Sequence, residues 1–353
     1  MGEPSLHFVL PGDPDALTGG YIYDKRIIDG LRSNGRKVHR HLLPNGFPFP
    51  SARTLEESSR IIRRIPDDSL VVVDGLALAP LYQVIGEQAS RLVLIGLIHH
   101  PLSEETGISA AQKSFLQTLE QRALSACARI VVTSSTTAST LISGYDVNPH
   151  RLTVIEPGVD PAPPALGSCD DTLNLLCVAT LTPRKGHELL FNALAPLQNY
   201  SWRMSCVGDL ERDMATATRA QQCAKRLGFA NRVVFQGVLG RSELAQQYHS
   251  ADLFVLASRY EGYGMALAEA LACGLPIVAT CVGAIPVTVP SNASLLVPPD
   301  KSRALTFALK RFLTEPRLRE HLKAGARANR VRRRSWDAAV RGMEKQVFGL
   351  FTK

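Results

Sequence analysis

No apolar run in this sequence is long enough to cross a bilayer. The longest, Leu92 to Ile98, falls far short of the roughly 20 residues a spanning helix needs. The seven cysteines (127, 169, 177, 206, 223, 273 and 281) are scattered, odd in number and never spaced C-x-x-C, which excludes a disulfide framework and argues against a zinc site. Cys177, inside the run LNLLCVAT, reads as a small hydrophobe. A reducing, cytoplasmic setting is expected, and the sequon at Asn292-Ala293-Ser294 is then chance. The opening MGEPSLHFVL has neither a basic n-region nor a cleavage-type ending, so no secretory signal is expected. Aromatic residues make up only 6%, and no RNA-binding motif or zinc finger accompanies the basic residues, so nucleic acid is not an expected partner.

What is present is the composition of an ordinary folded chain: 45% apolar and 20% charged residues over 353 positions, room for two domains. The net charge of +8 is uneven. From Arg303 to Lys353 there are 14 Lys and Arg against 4 Asp and Glu, which leaves 26 basic and 28 acidic residues elsewhere. A basic C-terminal region can face an anionic lipid surface, or it can be a set of solvated helix faces.

Short apolar, β-branched segments alternate with helical stretches almost from end to end. Strands are expected at 6–10, 37–42, 70–74, 92–98, 129–133 and 151–156, with helices at 21–33, 54–65, 109–126 and 135–143 among the connections. Near-continuous apolar strands with crossover helices mean a parallel sheet covered on both faces. The segment 160–171, with three prolines and no periodicity, reads as a linker. The alternation then restarts at LNLLCVAT and continues to the helical stretches of 301–330 and 336–350. Two doubly wound α/β domains is the economical reading, with ligands at the carboxyl ends of the strands and a cleft between the domains as the place to join two substrates.

The stretch Ser258 to Thr280, SRYEGYGMALAEALACGLPIVAT, carries the most chemistry. A strand ends, Gly262 and Gly264 allow close backbone approach, and a helix beginning near Met265 offers free N–H groups and a positive dipole end. Glu261 lies before that helix and Glu269 about one turn inside it, too far apart for an acid/base pair. Taken as carboxylates without basic neighbours, both suit hydroxyl recognition.

This stretch resembles the nucleotide-sugar site of the retaining glycosyltransferases of family four, which have the GT-B fold: two doubly wound parallel-sheet Rossmann-like domains facing a cleft. Glu261, Gly262, Gly264, Glu269, Ala272, Cys273, Gly274, Pro276, Val278 and Ala279 match the family's pattern of two glutamates followed by an A-C-G-x-P-x-V-A run. The resemblance implies that Glu261 binds donor-sugar hydroxyls, that the amides of Tyr263, Gly264 and Met265 face sugar and phosphate, and that Glu269 holds the ribose. Four further segments follow the family's order. CVATLTPRKGHELLFNAL (177–194) is similar to its strand–loop–helix with a basic pair, placing Lys185 on the leaving diphosphate; Thr180 replaces the usual arginine, and Arg184 is the candidate to supply that charge. Gly19 and Gly20 match the paired glycines of the opening loop. LIGLIHHPLSEETG (95–108) is similar to the strand that ends in a histidine near the transferred sugar, which makes His99 a candidate, with His100 in place of a frequent aspartate. VIEPGVD (154–160) resembles the domain junction, with Glu156 and Pro157 departing from the pattern and Gly158 expected to form a hinge turn. In VGAIPVTV, Val287 stands where the family commonly has an acid.

The expected domains are 1–164 on the acceptor side, 165–335 for the nucleotide sugar, and a terminal helix, 336–353, crossing back to the first. Asp13-Pro14-Asp15 reads as a turn and not as a metal-binding D-x-D. The implied activity is transfer of a hexose from a UDP- or GDP-linked sugar to an acceptor hydroxyl, with retention, without metal or cofactor. The acceptor class (glycan, small molecule or lipid) and the oligomeric state are left open. The alternatives are a nucleotide-sugar epimerase or sugar phosphorylase of the same fold, or a silent sugar- or lipid-binding protein. The run Arg330, Arg332, Arg333 and Arg334 is expected to stay solvated, free for a peripheral membrane contact.

Overall fold

The computed structural model describes residues 5–13, 17–330 and 334–350. The chain divides into two compact units, Met1–Gly158 with Arg334–Lys353, and Val159–Arg333. The first crossing therefore falls at Gly158 and not at 164, and the return at Arg334. Asp15, Arg332 and Arg333 lie outside the described residues.

The first unit runs β1 (Leu6–Pro11), α1 (Gly19–Ser33), β2 (Val38–Leu43), α2 (Ala52–Arg63), β3 (Leu70–Asp74), α3 (Gly75–Leu78), α4 (Tyr82–Gln88), β4 (Val93–Ile98), α5 (Ala110–Ser125), β5 (Arg129–Val132), α6 (Ser135–Gly144) and β6 (Leu152–Val154). Its six parallel strands are ordered β2-β1-β3-β4-β5-β6. β1 and β3 are buried along their whole length, as expected of strands covered on both faces. The expected final strand, 151–156, shrinks to three residues because Pro149–Arg151 turns as a 3₁₀ helix.

The second unit runs β7 (Leu173–Val178), α7 (His187–Leu194), β8 (Trp202–Val207), α8 (Met214–Arg226), β9 (Val233–Gly237), α9 (Arg241–Ser250), β10 (Leu253–Leu256), α10 (Met265–Ala272), β11 (Ile277–Thr280), α11 (Ile285–Thr288), β12 (Ser294–Val297), α12 (Ser302–Thr314) and α13 (Pro316–Ala328). Its sheet is also parallel, ordered β12-β11-β10-β7-β8-β9. α7 ends at Leu194 because Pro196 has no N–H to continue it and the chain tightens into a 3₁₀ turn.

The last helix, α14 (Trp336–Phe348), belongs to the first unit and packs on α1. Ala339, Val340, Met343 and Val347 form its buried stripe, and the Ser335 hydroxyl caps it by accepting from the Ala338 N–H. Gly158 lies so close to the backbone of Trp336 that a β-carbon there would stand 2.3 Å from its nitrogen, so glycine is required by contact and not by an unusual φ.

Both sheets reverse their winding at one place, between β1 and β3 in the first and between β7 and β10 in the second. Loops leaving the carboxyl ends of such a strand pair diverge and leave a hollow, where ligands of doubly wound sheets bind. Among the described residues no helix is long and apolar enough to cross a membrane.

Candidate active site

In the second unit, the loops after β7 and β10 are stitched together. The Arg259 N–H donates to the Arg184 carbonyl at 2.7 Å, the Arg184 guanidinium to the Tyr260 carbonyl at 3.0 Å, and the Arg259 guanidinium to the Pro183 carbonyl at 2.6 Å. Gly186 turns the first loop into α7 with a φ of 67°, and a β-carbon there would meet the Ala257 carbonyl oxygen at 2.1 Å. Only glycine satisfies both constraints.

This stitching delivers Lys185 to Glu261. Lys185 Nζ lies 2.5 Å from Glu261 Oε1, the Ser258 hydroxyl donates to the same oxygen at 2.6 Å, and Arg184 stands 3.9 Å from Oε2. The expectation that Glu261 has no basic neighbour is therefore wrong: its cations come from a loop 76 residues away. Burial would push the Glu261 carboxyl up, but Lys185 and Arg184 outweigh it and hold the group below the ordinary value. Burial draws Lys185 down, against the pull of Glu261. His187, beneath them at the start of α7, is pushed down to about 4 by burial and then by Lys185, so it is neutral.

The turn Glu261–Gly264 leads into α10, where the Leu267 N–H is taken by the Gly264 carbonyl at 3.0 Å and the amides of Met265 and Ala266 before it have no acceptor within the helix. It is held from behind by the 281–289 loop. The Ala284 N–H donates to the Glu261 carbonyl at 2.8 Å, the Thr288 hydroxyl to the Tyr263 carbonyl at 2.8 Å, and Gly283 sits where a β-carbon would meet the Glu261 carbonyl oxygen. Val287, which replaces the family's acid, is 64% exposed and takes no part in that anchoring. Gly262, Tyr263, Gly264 and Met265 thus form one surface beside Glu261. Glu269, a turn along α10, accepts from the Tyr248 hydroxyl at 2.8 Å. Tyr248, Ser258 and His187 were not read as site residues: Tyr248 meets Glu269 only through the fold, and Ser258, three residues from Glu261, carries no mark in sequence that its hydroxyl turns to that carboxylate.

The first unit holds a second cluster at its own reversal point. His99 follows β4, and Gly20 in the first turn of α1 comes so close that a β-carbon would stand 3.2 Å from the ring. The Gly19-Gly20 and His99 segments, separate in sequence, are in contact. The structure adds two carboxylates: His99 Nε2 lies 3.1 Å from Asp24 Oδ1 on α1 and 3.2 Å from Asp74 Oδ2 at the end of β3. Burial opposes a charge on His99, yet Asp24 and Asp74 overcome it and raise the imidazole to about 10. Asp24 is raised to about 7 by burial, against the pull of His99. The three residues offer donor atoms within 4.8 Å of one another, a grouping that could hold a metal ion, and their contacts in this structure are those of an ion-pair cluster. After His99, the loop is pinned by buried Glu120, which accepts from the Leu102 N–H at 2.9 Å. His100 pairs with Glu105 at 2.7 Å.

Residues 6–163 match the sequence model of glycosyltransferase family 4, and residues 161–329 that of glycosyl transferases group 1. A D-inositol 3-phosphate glycosyltransferase of Frankia alni is 32% identical over 246 residues, 64% of this chain and 59% of that protein. Another from Actinosynnema mirum is 31% identical over 253 residues, 65% of this chain and 60% of that protein. The aligned part thus spans about three fifths of these relatives. Among solved structures, the sucrose-phosphate synthase of Thermosynechococcus elongatus superposes with a TM-score of 0.84 at 21% identity, covering 99% of both chains. The HepE protein of Anabaena, in complex with UDP-glucose, gives 0.74 at 18% identity over 98% and 99%. At such identities these structures establish the shared fold.

Proposed function

Because the chain belongs to the GT-B glycosyltransferases of family-four type, we propose that it moves a hexose from a nucleoside diphosphate sugar to an acceptor hydroxyl, retaining the anomeric configuration and using no metal. The observation that carries this reading is the buried Lys185–Glu261 pair beside the glycine-built turn and the N-terminus of α10.

Such a site suits a ligand that is anionic at one end and hydroxylated at the other. Lys185, Arg184 and the amides of Tyr263, Gly264 and Met265 offer positive charge and N–H donors to a diphosphate. They would stabilise it most as it leaves, because preorganised donors act on developing charge at no reorganisation cost. Glu261 has Lys185 and Ser258 on one oxygen, which leaves its second oxygen to accept from sugar hydroxyls. Glu269, oriented by Tyr248, suits the ribose. A same-face displacement through an oxocarbenium-like state fits this reading, the departing phosphate oxygen taking the acceptor proton. His99 would hydrogen-bond the transferred sugar. The D-inositol 3-phosphate glycosyltransferases among its relatives make a phosphorylated polyol one acceptor to try.

The experiment is a thermal-shift screen with UDP, GDP and ADP, followed by transfer assays with the matching glucose and mannose donors in EDTA. A nucleotide at 100 times its Kd adds about 2.7 kcal/mol of stability, enough for a clear shift. No shift with any of the three overturns the nucleotide-sugar reading. A shift without slow donor hydrolysis or transfer leaves a binding protein, conversion of donor alone an epimerase, and activity abolished by EDTA removes the metal-free mechanism.

A further inference from the structure

Two carboxylates from different elements converge on one ring nitrogen of His99. Asp24 projects from α1 and is 1% exposed; Asp74 ends β3 and is 4% exposed. Asp74 does spend its other oxygen on the Leu76 N–H, capping α3 at 2.7 Å. Asp24 Oδ2 has no partner among the described residues. Two buried carboxylates side by side, one half-satisfied, would be costly as bare anions. The compensating charge has to sit on His99, the cation between them.

The geometry also fixes which nitrogen faces inward. Nε2 carries both contacts, so its proton is committed to Asp24 and Asp74. Gly20 presses on the Cδ2–Nε2 edge and Tyr23 packs edge-on at 5.4 Å, so the ring cannot turn that edge outward without displacing α1. The Thr133 hydroxyl donates to the His99 carbonyl at 3.1 Å, anchoring the backbone from β5. Nδ1 takes no hydrogen bond from these elements, and the side chain as a whole keeps 18% of its surface exposed.

We propose that Asp24 and Asp74 are positioning residues that hold His99 as an imidazolium with its Nε2–H turned inward, so that Nδ1–H is a fixed, charged hydrogen-bond donor to a substrate oxygen and His99 is not a base. The proposal rests on the reading above only in that Nδ1 meets substrate. An imidazolium donor is strongest toward an oxygen that gains negative charge, which a glycosyl transfer produces on the leaving phosphate. Other charged or titratable groups nearby already have partners or lie to one side. His100 pairs with Glu105, the Tyr23 hydroxyl donates to the Ile155 carbonyl, and Lys25, Asp29 and Arg40 share a small hollow with Asp24.

Imidazole NMR of the full chain in EDTA tests this without any activity assay, His99 being assigned from the signal lost in His99→Gln. In the wild type, the His99 nitrogens should keep imidazolium shifts past pH 8, where an ordinary histidine is almost wholly neutral. A neutral ring at pH 7.5 overturns the proposal. In Asp74→Asn, and in Asp24→Asn should the first variant fold poorly, His99 should titrate nearer pH 6.5. With a donor substrate, kcat/KM of these variants should then fall roughly thirtyfold between pH 6 and 8, the fraction of imidazolium lost at an ordinary pKa. The wild type should show no such arm. Variants whose profile stays flat while the NMR titration moves would show a structural pair only. Absence of any transfer by the wild type would instead sink the glycosyltransferase reading and leave the NMR result standing.

Discussion

Lys185 and Glu261 form an ion pair of 2.5 Å that is almost wholly removed from water, between loops that leave two adjacent strands of one sheet. Its burial has a consequence for any mutation at either end. Removing one partner leaves a buried charge uncompensated, a loss of about 3–5 kcal/mol in stability.

Catalytic and structural effects at this pair can therefore be separated only by a double-mutant cycle. Lys185→Ala should lower kcat/KM about 10²-fold or more, as when one preorganised charge-stabilising donor is lost. Glu261→Ala should reduce the rate far more than nucleotide affinity. Lys185→Met with Glu261→Gln should recover much of the stability lost by each single variant, measured by urea unfolding, and none of the activity. Recovery of activity would show that the pair is only structural.

Glu269 is held differently, by a neutral donor. Tyr248→Phe removes the hydroxyl that orients its carboxylate but keeps the ring stacked on Phe254. Nucleotide affinity by calorimetry should weaken by roughly 1 kcal/mol in Tyr248→Phe and by roughly 1–3 kcal/mol in Glu269→Ala. In both, kcat at saturating donor should change less than KM. Equal losses of free-nucleotide affinity in Glu261→Ala and Glu269→Ala would contradict the division of labour between the two carboxylates.

The fold was legible because the central strands of the parallel sheets are near-continuous apolar runs bounded by turn residues, as LVVVD and PIVAT show. The glycine turn around Glu261 was legible because its neighbours are local. The charge balance of the site was not. Lys185 reaches Glu261 only because β7 and β10 are neighbours across the reversal of the sheet, and strand order leaves no mark on sequence spacing. Asp24 and Asp74 were hidden for the same reason, one inside the helix expected at 21–33 and the other the last residue of the strand expected at 70–74.

Acid should destabilise the second unit through His187. Its pKa is pushed down from about 6.5 unfolded to about 4 folded, so the unfolded chain takes up the proton first. Its contribution is complete above pH 6.5 and is lost as pH falls towards 4, up to about 3 kcal/mol at about 1.4 kcal/mol per unit. Urea unfolding from pH 7 to 4 should show a shallower decline in His187→Phe than in the wild type. Equal slopes would mean that His187 takes up its proton at the same pH in the folded and unfolded chain.

The arginine run near the C-terminus does not behave as one solvated cluster. Arg330 donates to the carbonyls of Ala272 at 2.9 Å and Ala162 at 2.6 Å, and so ties α13 to α10 and to the start of the second unit. Its expected role as a free cation is thus corrected. Arg330→Ala should lower stability by about 1–3 kcal/mol through the two carbonyls left behind. A peripheral membrane contact is then left to Arg334, which is exposed, and to Arg332 and Arg333. Co-sedimentation with anionic vesicles at low salt should be weakened by R332A/R333A/R334A at about 1 kcal/mol per charge, and unaffected by Arg330→Ala. No binding at low salt would end the membrane proposal.

Gly30 on α1 offers a test of how α14 is held. By helix propensity alone Gly30→Ala should stabilise an interior helical position by about 0.5–1 kcal/mol. Here the added β-carbon would stand 2.3 Å from Val340 Cγ2, a distance that real contacts do not reach. Val340 is buried between Ala339 and Met343 on the face that meets α1 and cannot swing into solvent without uncovering that stripe. Gly30→Ala should therefore destabilise by about 1–3 kcal/mol, the cost of overpacking a filled core. Val340→Ala should cost about 2 kcal/mol or more as a cavity. Combined, the new methyl fills part of the space the old ones left, and the double variant should be more stable than the sum of the two losses predicts. Strict additivity in thermal or urea unfolding would show that α14 is not seated on Gly30 in solution.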